Sequence, residues 1–86
     1  MKELTSLRNE IDLLDQQLWD IIAQRVDIAR KIGEWKHTHG QQVLQPERYQ
    51  QVLNQCLTRG KQHGLSETLI HEVMAALHKE SVRVES

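Results

Sequence analysis

Arg25 is the residue of this chain that most demands a chemical explanation. Apolar residues recur at Leu4, Leu7, Ile11, Leu14, Leu18 and Ile21, and again at Ile28, Ile32 and Trp35. Steps of three and four mark the seam of a helix packed on other helices. The step after Ile21 lands on arginine instead. A guanidinium there cannot shed its proton, and burying it unpaired costs several kcal/mol. Arg25 therefore has either a buried carboxylate partner or a cavity that receives an anion. Lys36 follows eleven residues later, three turns on and on nearly the same face. Arg8 lies beside the seam toward its other end, and Arg48 falls just after a proline further along. Such cations along packed helices suit a small ligand with two carboxylates better than a metal, because arginine's planar fork matches a carboxylate.

Ser81 and Glu85 are the other polar residues where apolar ones are due. They continue the stripe Leu69, Ile70, Val73, Met74, Leu77 by steps of four, so both can face one cavity. The alternative for Glu85, next to last in the sequence, is a solvated helix end. His37 and His39 are two positions apart and share no helix face, and nothing near them completes a metal-binding set. All five histidines read as surface or packing residues. Cys56 sits on an apolar stripe and reads as core rather than nucleophile.

Three helices must position these groups. The first is expected to start between Lys2 and Ser6 and to run to about Thr38, stopped by Gly40. Gly33 inside it costs about 1 kcal/mol against alanine. At 1.5 Å per residue this helix is roughly 50 Å long, whereas a compact chain of this size is only about 30 Å across. A second copy of the chain is the simplest remedy, and a homodimer with packed long helices is expected. Residues 40–45 form a connection. Pro46 then opens a second helix, with Glu47 near its positive end and an apolar stripe of Tyr49, Val52, Leu53, Cys56 and Leu57. Gly60 and Gly64 are expected to bracket its end. Ser66 caps the third helix, with Glu67 in its first turn. The fold class is all-α, with three helices per chain, one of them very long, in a single domain over 1–86.

Composition narrows the function. Eleven basic residues against twelve acidic ones give a net charge of −1, which argues against a nucleic-acid binder. No stretch approaches the roughly 20 apolar residues of a membrane span, and the first residues lack the apolar core of a secretory signal. One cysteine allows no intrachain disulfide, so a reducing compartment, the cytoplasm, is the expected location.

The pattern Leu7-Arg8-x-x-Ile11-Asp12-x-x-Asp15-x-x-Leu18, then Arg25, Ile32-Gly33-x-x-Lys36, Pro46-Glu47-Arg48 and His78-x-Glu80-Ser81 resembles the all-helical chorismate mutases over essentially the whole chain. The resemblance implies an intertwined dimer with two active sites. Each site would use Arg25, Lys36, Arg48, Ser81 and Glu85 of one chain and Arg8 of its partner. The reaction it implies is the Claisen rearrangement of chorismate to prephenate, with no metal or cofactor. Arg8, Arg25 and Arg48 would hold the two carboxylates, and Lys36 would meet the charge growing on the ether oxygen.

Two positions depart from the family's pattern. Glu85 aligns with the second ether-oxygen donor, which is glutamine in some relatives and glutamate in others. An ionised carboxylate cannot donate, so turnover is expected to rise toward acidic pH. Tyr49 stands where many relatives carry a glutamate that contacts the ring hydroxyl, and Gln45 where aspartate or asparagine is common. An isochorismate-pyruvate lyase and a 4-amino-4-deoxychorismate mutase are therefore competing readings on the same fold. A non-catalytic helical dimerisation module is the alternative of another class. It predicts that the cations only form structural salt bridges.

Overall fold

A computed structural model describes residues 3–86, which form three helices and no strand: α1 (Leu4–Thr38), α2 (Pro46–Gln62) and α3 (Glu67–Glu85). The Lys2 end of the expected start of α1 lies outside the described residues. Lys36 and His37 in the last turn of α1 face its negative end, as the helix dipole favours. Beyond it Gly40 takes a left-handed conformation, φ +66°, while the Gln41 N–H bonds back to the Lys36 carbonyl at 2.8 Å. Pro46 opens α2, where its missing N–H goes unneeded. Ser66 caps α3, its hydroxyl accepting from the Leu69 N–H at 3.1 Å.

α3 packs against both other helices, while α1 and α2 do not touch along their length. The α2–α3 contact is a small aliphatic core of Leu53, Ile70 and Met74, flanked by Tyr49, Val52, Cys56, Leu57 and Leu77. Gly60 and Gly64 bracket the end of α2 at Gln62 as expected, and Gly60 is in addition part of this contact. It is helical and buried, and a Cβ there would sit 2.5 Å from Ile70 Cδ1. The glycine that closes the helix is Gly64, φ +76°.

The α1–α3 contact uses residues the apolar periodicity passed over. Those of α1 that become buried are Ala29 and Gly33, one turn apart and both small, so α3 comes close to the α1 backbone. The seam itself stays open. Every described residue before Ile22 is exposed, Leu14 to 61% and Ile11 to 58%. The chain measures 57 × 23 × 15 Å, so the N-terminal half of α1 projects beyond the other two helices as a bare apolar rod. No helix among the described residues is long and apolar enough to cross a membrane.

Candidate active site

Between the C-terminal half of α1, the last turns of α3 and the start of α2 lies a cavity of about 540 Å³, whose wall includes Arg25, Lys36, Gln45, Arg48, Ser81 and Glu85. Arg25 comes from mid-α1, where the seam places it, and is half-buried. Its Nη1 donates to Ser81 Oγ at 2.8 Å and to the Leu77 carbonyl at 3.4 Å. Among the described residues no carboxylate pairs with it. Of the two possibilities open for Arg25, the geometry corresponds to the cavity. Its charge is held by neutral oxygens and stays uncompensated.

Lys36 is held more tightly. Its Nζ donates to Glu85 Oε1 at 2.6 Å and to the Val43 carbonyl at 2.9 Å. The Lys36 and Glu85 side chains are only 13% and 10% exposed. An ammonium has three donors. Two are committed, and the third is free for whatever enters. Arg48 lies in the first turn of α2, exposed at the rim, and donates to Gln51 at 2.7 Å. Gln45 bonds within its own loop, to Gln41 and to the Gln42 carbonyl, each at 3.3 Å. Three cations against one carboxylate leave the cavity a formal excess of two positive charges, complementary to a dianion. Glu67 and Glu80 are held below the usual carboxylate range by hydrogen bonds with Lys61 and Arg83.

The Glu85 contact depends on Gly33. A Cβ at position 33 would lie 2.6 Å from Glu85 Cα and 2.8 Å from its carbonyl oxygen, which are backbone atoms that no rotamer change can move. The sequence reading treats Gly33 as a tolerated helix defect; in the fold it is the seat for the last turn of α3. Gly33→Ala gains about 1 kcal/mol of helix propensity and loses about 1–3 kcal/mol to overpacking. The easier relief is for the terminal turn to lift, carrying Glu85 away from Lys36. Gly33→Ala is therefore expected to change the melting temperature by a few degrees at most and to lower activity by at least about tenfold. Equal activity would show that the seat is dispensable.

Arg8 is not brought to this cavity. It stands seventeen residues before Arg25 on one continuous helix, roughly 25 Å away along the axis, in the exposed half of α1. Two polar groups of the wall were not read as part of the site. The Val43 carbonyl leaves no trace in side-chain type. His78 lies one turn before Ser81 on the stripe that ends at Glu85, a placement that could have drawn it in. Its ring stacks on Tyr49, with centroids 4.0 Å apart and an interplanar angle of 29°. Among the described residues no group of three or more histidines, cysteines or carboxylates could hold a metal ion.

Residues 7–86 match the family described as chorismate mutase type II. The chain belongs to that family. It is 35% identical over 81 residues to a T-protein of Haemophilus influenzae, covering 94% of this chain and 22% of that protein. It is 34% identical over 83 residues to a 4-amino-4-deoxychorismate mutase of Streptomyces venezuelae, covering 96% and 81%. A bifunctional chorismate mutase/prephenate dehydratase of Escherichia coli is 29% identical over 79 residues, covering 92% and 20%. This chorismate mutase type II chain thus spans about a fifth of the T-protein and of the bifunctional enzyme, and about four-fifths of the Streptomyces mutase.

Proposed function

We propose that the protein is a chorismate mutase of the cytoplasm that converts chorismate to prephenate, on the way to phenylalanine and tyrosine. The observation that carries this reading is the cavity with two excess positive charges, where the Lys36 ammonium keeps one free donor. Arg25 and Arg48 take the two carboxylates and hold the ligand folded, bringing the bond-forming carbons together. The ether C–O bond breaks as the new C–C bond forms, and negative charge grows on the ether oxygen. Lys36 meets that charge, so its contact is stronger in the transition state than in the ground state. The rearrangement is unimolecular and draws on no cofactor.

The working form in this reading is a homodimer. The bare apolar rod of α1 needs cover, and a second long helix with its own α2 and α3 supplies it. Arg8 then enters the partner's cavity as a fourth cation. Cysteine usage, with a single half-buried Cys56, supports a reducing location.

Glu85 bears on the rate through the donors it offers. Ionised, it accepts from Lys36 and presents lone pairs toward the ether oxygen. Protonated, it donates to that oxygen and releases Lys36 toward it. Glu85→Gln keeps a donor there, and at pH 8 it is expected to exceed wild type by about tenfold in kcat. A variant no faster than wild type at pH 8 removes this role from Glu85.

The reading is tested by incubating the protein separately with chorismate and isochorismate and identifying the product. Prephenate is expected; salicylate would make it a lyase, and inertness toward both would favour a non-catalytic module. A second reading, 4-amino-4-deoxychorismate as substrate, is favoured by the identity to the Streptomyces mutases, 34% and 30%. Turnover of that amine, measured beside chorismate, separates the two.

A further inference from the structure

We propose that His78 is a specificity-determining residue of the cavity, which reads the ring substituent of the substrate as a hydroxyl rather than an ammonium. The inference rests on the mutase reading above and adds the group that tells one ring from another.

His78 lines the cavity from α3 and Tyr49 lines it from α2. Stacking against the phenol covers one face of the imidazole and leaves the ring edge, with both nitrogens, for in-plane hydrogen bonds. Neither nitrogen has a partner among the described residues, and no buried side-chain nitrogen or oxygen there lacks one. The edge is therefore accessible to a ligand or to solvent. A neutral imidazole offers one donor and one acceptor, which a hydroxyl matches in both senses. The carboxylates of the ligand belong with the cations, so the ring substituent is the polar group left for this wall.

Charge decides which substituent. The His78–Tyr49 wall contains no carboxylate, and Glu85, the one acidic group lining the cavity, is engaged by Lys36. The ligand's carboxylates are taken up by the cations, so a ligand ammonium at this wall would meet only an imidazole and a phenol, with no protein carboxylate to pair with. A hydroxyl carries no such penalty.

The test uses His78→Phe, which keeps a flat ring against Tyr49 and removes both nitrogens, with three substrates: chorismate, its analogue without the ring hydroxyl, and its 4-amino counterpart. Wild type is expected to prefer chorismate over the amine by about tenfold or more in kcat/KM. His78→Phe should lose about tenfold on chorismate and nothing on the analogue without the hydroxyl. Equal losses on those two substrates, no loss on chorismate, or a wild-type preference for the amine would each overturn the assignment. If circular dichroism shows His78→Phe misfolded, His78→Gln and His78→Ala are compared in the same way. Glutamine should stay within about threefold of wild type on chorismate while alanine loses about tenfold, and equal values for the two would overturn it. A wild type that makes no product from chorismate or its amine instead sinks the mutase reading itself. An active wild type with an indifferent position 78 sinks only this one.

Discussion

Lys36→Ala is expected to lower kcat on chorismate by about a hundred- to a thousandfold, with a much smaller change in KM. Removing one preorganised donor aimed at a developing oxyanion costs about that factor. Lys36 is preorganised in this sense, because the Val43 carbonyl and Glu85 fix its ammonium before any ligand arrives. The variant loses a second thing as well. Glu85, 10% exposed in its side chain where Lys36 covers it, then has no cation beside it, so the ionised carboxylate faces the ether oxygen alone. Steady-state kinetics of Lys36→Ala beside the Lys36→Ala, Glu85→Gln double variant test both parts: the double variant should recover a share of the deficit. A KM effect with kcat intact would place Lys36 in binding rather than in the chemical step.

The second large effect concerns assembly. Leu14→Glu with Leu18→Glu is expected to give a monomer in sedimentation velocity and to abolish activity, although neither residue lies near the cavity. In the single chain the two leucines are 61% and 51% exposed, so the substitutions cost the protomer almost nothing. Covered by a partner helix, each would bury a side chain worth about 1.5–3 kcal/mol, and a buried unpaired carboxylate would cost more. In the proposed dimer Arg8 comes from the other chain, so a monomer would lack it and lose activity. Mixing Arg8→Ala with Arg25→Ala protein should then recover turnover that neither shows alone, since a mixed dimer contains one intact site. An active monomer, or no recovery on mixing, would remove Arg8 from the site.

Helix positions were legible where backbone chemistry is explicit. Pro46, Ser66, Gly40 and Gly64 mark ends that a single residue type dictates, and the structure puts turns and caps there. Arg25 was legible because a charge interrupts an apolar period. Glycines inside helices were not. Gly33 and Gly60 look alike in the sequence, as weak points of a helix, and their meaning lies in what approaches them: the end of α3 in one case, Ile70 in the other. The buried face of α1 was missed for a related reason. Hydrophobic periodicity finds large side chains, and Ala29 with Gly33 makes its contact through the lack of them. His78 was read as a surface or packing residue because its place in the wall beside Tyr49, twenty-nine residues earlier in the sequence, is made by tertiary structure alone.

The backbones of α1 and α2 each lean on α3 and not on each other, so the span from Arg25 to Arg48 is braced directly only where Lys36 grips the Val43 carbonyl in the connection. Beyond that brace it follows how α2 beds onto α3, where the Ile70 side chain closes on Gly60. Arg48 stands twelve residues up the same helix from Gly60, roughly 18 Å along its axis. A methyl group added at the foot of α2 meets the Ile70 side chain first, and what that side chain does not yield is passed along the rod to its far end at the cavity mouth. The fit between the jaws and a folded dianion is adjusted from a spot that the ligand never touches.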